Sequence, residues 1–71
     1  MDIRAHMAGT ILEIRVRTGD VVSAGDEVVM LESMKMEMPI AALVDGTVSQ
    51  VLVQAGDVVQ EDDVLIVLNS A

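Results

Sequence analysis

The residues best suited to chemistry lie in one short segment near the middle of the chain, Glu32-Ser33-Met34-Lys35-Met36-Glu37. Lys35 is the only lysine in the 71-residue sequence. The flanking carboxylates of Glu32 and Glu37 favour the charged ammonium, whereas a lysine that acts as a catalytic nucleophile needs surroundings that favour the free amine. We therefore interpret Lys35 as the acceptor of an acyl group rather than as a catalyst.

This segment joins two copies of an internal repeat. When the sequence is displaced by 37 positions, residues 1–31 align with residues 38–68 without a gap, and twelve of the pairs are identical. The position equivalent to Lys35 would lie one residue beyond the end of the chain, so the joint and the termini are related by the repeat. We expect the lysine hairpin, residues 32–37, to project from one pole, opposite the termini.

Other interpretations of the segment remain open at this point. A single exposed lysine is more commonly a solvated surface charge, and methionines often fill gaps in a core. However, Met34 and Met36 are also flexible side chains that suit a surface where several partners dock. A sole lysine between two methionines, at the joint of a repeat, favours the functional interpretation.

The two repeats have the pattern of short strands. Apolar and polar residues alternate over residues 12–17 and less regularly over residues 49–54, and valine and isoleucine dominate; both features indicate half-buried strands. Ile11 and Ile14 are three positions apart, which an alternating strand would place on opposite faces. A bulge or a sharp twist between them, or a second buried face, would account for this spacing. The predicted strands are residues 2–6, 10–17, 20–23, 27–32, 36–43, 47–54, 57–60 and 64–69.

Turn signals separate these strands at matched places. Gly19-Asp20 and Gly56-Asp57 mark the first turn of each repeat, and Gly25-Asp26 marks the second. In the second copy Asp62 replaces this glycine, and aspartate tolerates the left-handed conformation at some cost. Each repeat is too short to bury its own face, whereas two related by a pseudo-twofold axis can share one core. We predict a flattened all-β barrel or sandwich of two four-stranded antiparallel sheets, formed by a single domain spanning residues 1–71.

Composition restricts the function classes. The sequence has twelve acidic and four basic residues, a net charge of −8, no aromatic residue and no cysteine. Nucleic-acid binding needs clustered basic residues or stacking aromatic residues. This chain has neither, so we expect no binding to nucleic acid. With a single histidine and no thiol we expect no metal site, although the acidic residues could bind calcium weakly. No apolar run is long enough to span a bilayer and no targeting signal is visible, so we expect a cytoplasmic protein. We also expect it to be monomeric in isolation.

Residues 32–37 resemble the biotin-attachment signature, in which a Met-Lys-Met core follows an acidic and a small residue. The flanking segments 7–10, 19–22, 45–47 and 56–59 agree, so the chain resembles the biotinyl/lipoyl domain family over nearly its whole length. Within that family it is most similar to the free-standing biotin/lipoyl attachment proteins. No insertion separates the repeats, so the "thumb" of some biotin carboxyl carriers is absent.

The resemblance implies biotin on Lys35, attached by a biotin protein ligase. It implies a carrier of carboxybiotin between a biotin carboxylase and a carboxyltransferase rather than an enzyme. Met34 and Met36 would help to position the lysine, and Glu32 and Glu37 would help the ligase to recognise it. A lipoyl carrier, a dual biotin and lipoyl acceptor and an unmodified interaction module are the alternatives; lipoyl domains typically have Asp-Lys-Ala at the tip, which ranks lipoate second.

Overall fold

The computed structural model describes residues 1–70, which form eight short strands. The strands are β1 (Asp2–Arg4), β2 (Gly9–Ile14), β3 (Val21–Val22), β4 (Glu27–Ser33), β5 (Met36–Ala41), β6 (Gly46–Val51), β7 (Val58–Val59) and β8 (Val64–Ser70). All eight predicted strands are present, although β2 and β6 end three residues earlier than predicted. Just beyond these ends, the Arg15 and Leu52 N–H groups still donate to the Val28 and Leu65 carbonyls. The chain then crosses to the other sheet, where the Gly19 and Gly56 N–H groups donate to the Val48 and Ile11 carbonyls.

The strands form two four-stranded antiparallel sheets. Sheet A has the strand order β1-β8-β6-β3, and sheet B has the order β5-β4-β2-β7. Every strand pairing in one sheet has a counterpart in the other, displaced by 37 positions: the pair Thr10–Glu32, for example, corresponds to the pair Thr47–Asn69. The predicted fold class and its internal pseudo-twofold symmetry are confirmed.

Of the alternatives for the spacing of Ile11 and Ile14, the structure has the bulge. The register of β2 against β4 shifts between Ile11 and Glu13, and that of β6 against β8 shifts at the equivalent place, between Val48 and Gln50. The extra residue lets Ile11 enter the core while Ile14 packs against the same core from three positions further along.

A single apolar core lies between the sheets, and the two repeats supply it equally. Among the described residues no polar or charged side chain is buried in it. Each buried residue of the first repeat is matched by a buried residue of the second, so neither half could bury its apolar face alone. The matched pairs are Ile3/Ile40, Ala5/Ala42, Ile11/Val48, Val22/Val59, Val28/Leu65, Val29/Ile66 and Leu31/Leu68.

The second turn of each repeat also follows the prediction. Gly25 has a φ of 94° and Asp62 a φ of 72°, so both occupy the left-handed region. The two backbone N–H groups donate equivalent hydrogen bonds of 2.8 Å, from Gly25 to the Ala42 carbonyl and from Asp62 to the Ala5 carbonyl. Within residues 1–70, no helix has the length and apolar character needed to cross a membrane.

Candidate functional site

The candidate site is the hairpin between β4 and β5, whose turn consists of Met34 and Lys35 alone. Their φ angles are 53° and 63°, so both residues at the centre of the turn lie in the left-handed region. Two-residue hairpins favour this geometry because its twist matches that of the strands, but Asn-Gly usually supplies it. A residue with a Cβ atom in this region carries roughly 1 kcal/mol of strain.

The base of the hairpin is held rigidly by the core and by β2. In β4, Leu31 is completely buried, and Glu32 pairs with Thr10 of β2 on one side and with Glu37 of β5 on the other. Gly9 allows this close approach, because a Cβ atom at that position would overlap the Glu32 carbonyl oxygen. Packing of the strands beneath therefore maintains the unfavourable turn.

The side chains at the tip are accessible. Met34 is 92% exposed and Met36 is 63% exposed, and Lys35 is exposed beside them. Within residues 1–70, neither Lys35 nor the flanking glutamates form an ion pair. The Lys35 amine is thus free to reach into the active site of another protein.

The structure brings the five predicted site residues together at one end of sheet B. Glu32 and Glu37 lie directly opposite each other, and Ser33 lies opposite Met36. Sequence reasoning missed two positions that support them, Gly9 and Thr10 in β2. Their repetition as Gly46 and Thr47 was the available signal, but repetition alone does not reveal which strand lies beside the hairpin.

The chemistry open to this site is that of an acceptor. Within the described part of the chain, no group of three or more acidic or histidine side chains could hold a metal ion. Two surface depressions are lined by residues between Arg15 and Glu27 and by residues of β1 and β5 such as Ile3 and Ile40, and neither includes Lys35. A small β-barrel that presents one accessible lysine on a rigid hairpin has the form of a carrier domain.

Comparison with known proteins assigns the family. The family model described as "Biotin-requiring enzyme", which covers biotin- and lipoyl-attachment domains, matches residues 1–68. The chain belongs to this family. Attachment domains of the family carry a prosthetic group and do not themselves catalyse the reactions in which that group takes part.

Individual relatives agree with this assignment. The chain is 51% identical over 41 residues to the biotinylated protein TB7.3 of Mycobacterium tuberculosis, and the match covers 58% of each chain. It is 48% identical over 42 residues to the biotin/lipoyl attachment protein of Bacillus subtilis, covering 59% of this chain and 58% of that protein. The chain thus spans less than two thirds of these curated relatives.

Solved structures extend the similarity to the whole fold. A single-chain, multi-domain long-chain acyl-CoA carboxylase superposes with a TM-score of 0.94 at 37% identity, covering 100% of this chain and 7% of that one. The urea carboxylase of Kluyveromyces lactis superposes with a TM-score of 0.91 at 32% identity, covering 97% of this chain and 6% of that enzyme. In both, the similar region is one small part of a large carboxylase.

Proposed function

We propose that the protein is a biotin carboxyl carrier in which biotin is attached covalently to Lys35. The observation that carries this proposal is the geometry of the tip, where the only lysine of the chain stands exposed on a two-residue turn with a methionine on either side. The residues fit the group, since biotin ends in a carboxyl group and an accessible primary amine can hold it as an amide. The biotinylated relatives support the same group.

Attachment requires an activated acyl donor, which a biotin protein ligase supplies as biotinoyl-adenylate. The Lys35 Nζ atom attacks the acyl carbon, a C–N bond forms, the bond between that carbon and the phosphate oxygen breaks, and AMP leaves. The nitrogen releases one proton in the same step, and the solvent takes it up. The chain contributes the position of the nucleophile: the rigid base of β4 and β5 fixes the turn, and the exposed tip lets it enter the ligase.

Once attached, biotin supplies a ring that accepts a carboxyl group at one enzyme and donates it at another. The protein holds this group on a flexible side chain at an exposed pole, which raises its effective concentration at both partners. Met34 and Met36 position the lysine and offer adaptable apolar contacts to partners. Glu32 and Glu37 contribute to recognition by the ligase.

The partners proposed here are a biotin protein ligase, a biotin carboxylase and a carboxyltransferase. Relatives that belong to carboxylase systems support the last two, among them the methylmalonyl-CoA carboxyltransferase 1.3S subunit of Propionibacterium freudenreichii, 53% identical over 36 residues. Residues 1–71 act as one attachment domain, monomeric on its own and located in the cytoplasm. Choice of the carboxyl acceptor lies with the carboxyltransferase.

A second candidate function is carriage of lipoate on the same lysine. The specific observation that favours it is the similarity to a biotin/lipoyl attachment protein. The Met-Lys-Met tip makes biotin the first choice. An unmodified interaction module ranks lower, because such a module has no need of an exposed lysine on a strained turn.

Mass spectrometry of the intact protein tests the proposal. Co-expression with a biotin protein ligase should add one biotinyl group to the wild type and none to Lys35→Arg, which keeps the charge but removes the primary amine. A double variant, Lys35→Arg with Arg17→Lys, places a lysine at another exposed position and should also remain unmodified. Biotin on Lys35→Arg, or none on the wild type, contradicts the proposal, and a lipoyl group added by a lipoate ligase favours the second candidate.

A further inference from the structure

Two open sheet edges border one groove on the surface of the protein. β1 is an edge strand of sheet A, and β5 is an edge strand of sheet B. The groove has a volume of about 320 Å³ and is lined on one side by Asp2, Ile3 and Arg4 and on the other by Pro39, Ile40 and Ala41. These two sets are equivalent by the repeat, so the two edges can be compared residue by residue.

The backbone of β1 leaves hydrogen-bonding groups free at its edge. The Met1 amino group donates a bond of 2.9 Å to the Leu68 carbonyl, and the Ala5 N–H group donates a bond of the same length to the residue before β8. Backbone groups along an antiparallel strand point alternately towards and away from its partner. The N–H and C=O groups of Asp2 and Arg4 therefore point out of the sheet. Within residues 1–70, β8 is the only strand paired with β1.

The equivalent edge of β5 is blocked by a proline. Pro39 lies opposite Met30 in the same relation as Asp2 to Val67, so position 39 also points its backbone groups outwards. Because proline has no N–H group, Pro39 lacks the donor that Asp2 retains. Proline at such a position is one way in which edge strands avoid pairing with other chains. The protein thus blocks one of two equivalent edges and leaves the other open.

The groove beside the open edge is mainly apolar. Ile3 and Ile40 are buried residues that line it, and Leu43, which also lines it, is 83% exposed. The charged residues of the lining, Asp2 and Arg4, form an ion pair of 3.3 Å. The net charge of −8, in which the histidine is counted as neutral, therefore lies outside the groove. These properties suit the apolar side chains of an uncharged segment.

We propose that the β1 edge binds an extended, uncharged segment of a partner protein, which adds a fifth strand to the four-stranded sheet A. Backbone hydrogen bonds to Asp2 and Arg4 provide affinity, and alternate apolar side chains of the segment enter the groove and provide specificity. None of the lining residues belongs to the lysine hairpin, so the bound segment leaves Lys35 accessible. This binding does not depend on modification of the lysine.

A second copy of the chain is a poorer occupant of the same edge. β1 has only three residues, so the pairing of two β1 strands buries far less than the roughly 1,200 Å² of a stable interface. Each copy also has a net charge of −8, which opposes self-association. An uncharged segment meets no such repulsion and fills the groove as well as the edge.

NMR titration tests the added strand. The ¹⁵N-labelled chain, prepared with a Gly-Ser extension that preserves Met1 in every variant, is titrated with the synthetic peptide acetyl-Thr-Val-Thr-Val-Thr-amide. Amide signals of Asp2, Arg4 and Leu43 should shift saturably, and hydrogen exchange of the Asp2 and Arg4 amides should slow. Signals of β3 and β7 should not move.

A peptide of the same sequence with N-methyl groups on alternate amides is the control, because it cannot form the backbone bonds. It should bind at least tenfold more weakly. Equal affinity of the two peptides overturns the proposal. So does the absence of a saturable shift with both the valine peptide and its leucine counterpart.

The repeat supplies matched variants of the protein. Asp2→Pro copies the blocked edge and should fold, because the fold already accommodates proline at the equivalent position 39. It should weaken binding of the valine peptide about tenfold. Asp2→Asn loses the ion pair but keeps the N–H group, and it should bind like the wild type. Undiminished binding by Asp2→Pro, or an equal loss in Asp2→Asn, would contradict an added strand.

Reversing the two edges gives a gain of function. The double variant Asp2→Pro with Pro39→Asp closes the β1 edge and opens the β5 edge. It should recover peptide binding, with slow hydrogen exchange at position 39 in place of position 2. Failure to recover binding would show that the free N–H group at the edge does not determine the site.

Sedimentation velocity distinguishes the other occupant. The wild-type chain should remain a monomer at the concentrations used for NMR. A wild-type dimer that Asp2→Pro dissociates would assign the β1 edge to a second copy of the chain and overturn the proposal.

Discussion

Residues with left-handed backbone conformation have different energetic costs at equivalent positions of the two repeats. Gly25 and Asp62 are equivalent by the repeat and have φ angles of 94° and 72°. Glycine adopts this region freely, whereas aspartate does so at a cost. Met34 and Lys35 bear the same kind of cost at the tip of the β4–β5 hairpin, where the proposed attachment site requires a lysine and so excludes Asn-Gly.

Exchanging the residues at positions 25 and 62 measures the free-energy cost of placing aspartate in the left-handed region. Asp62→Gly should stabilise the protein and Gly25→Asp should destabilise it, each by about 0.5 to 1 kcal/mol. A Cβ atom at Gly25 meets nothing within 4 Å, so the substitution causes no steric overlap there. Thermal unfolding should show shifts of opposite sign of about 4 °C. Equal stability of Gly25→Asp and the wild type would mean that aspartate offsets the strain through its own hydrogen bonds.

At the scale of elements, the base of the lysine hairpin depends on how closely β2 approaches β4. Gly9 and Gly46 occupy equivalent positions, one beneath the hairpin and one beside the C-terminal strand. A Cβ atom at Gly46 would lie 2.7 Å from the Asn69 carbonyl oxygen, and one at Gly9 would overlap that of Glu32. Both glycines are therefore needed for strand packing, but only Gly9 supports the site.

Alanine substitutions of Gly9 and Gly46 separate an effect on stability from an effect on biotinylation. Gly9→Ala and Gly46→Ala should each destabilise the fold by about 1 to 3 kcal/mol, because a strand must shift to admit the methyl group. Only Gly9→Ala should also lower kcat/KM for biotinylation, measured at a temperature where both variants are folded. Equal losses of biotinylation in the two variants would show that the hairpin tolerates displacement of β4.

At the scale of the whole molecule, both halves depend on one core. Leu31 and Leu68 are equivalent buried side chains, one from each repeat, with 0% and 2% exposure. Each packs in a core to which the other repeat contributes half of the residues. We therefore expect the protein to unfold as one cooperative unit rather than half by half.

Leu31→Ala and Leu68→Ala should each cost about 2 to 5 kcal/mol of unfolding free energy, a large share of the stability of a domain this small. Since the chain has no aromatic residue, urea unfolding is best followed by far-ultraviolet circular dichroism and by amide NMR signals. In both variants, signals from the two repeats should disappear at the same urea concentration. Separate midpoints for β2–β4 and β6–β8 would contradict a shared core.

The sequence alone predicted the eight strands and the two-copy architecture. It also indicated an irregularity after Ile11 and marked Asp62 as a position that could adopt the left-handed conformation. These features depend on local backbone preferences and on the alternation of apolar residues, both of which are properties of neighbouring positions. The repeat added the long-range information, because two similar segments imply two similar halves. It also located the turn at Met34 and Lys35, which contain none of the usual turn residues.

Only the tertiary structure decided what surrounds Lys35. Three features beside Lys35 depend on strand register and sheet order. They are the left-handed geometry of both turn residues, the opposition of Glu32 and Glu37, and the pairing of Glu32 with Thr10. Register and order follow from the packing of both repeats around one core, which brings together residues far apart in sequence. For that reason the sequence identified the lysine, whereas the pairing of Glu32 with Glu37 beside it became visible only in the folded chain.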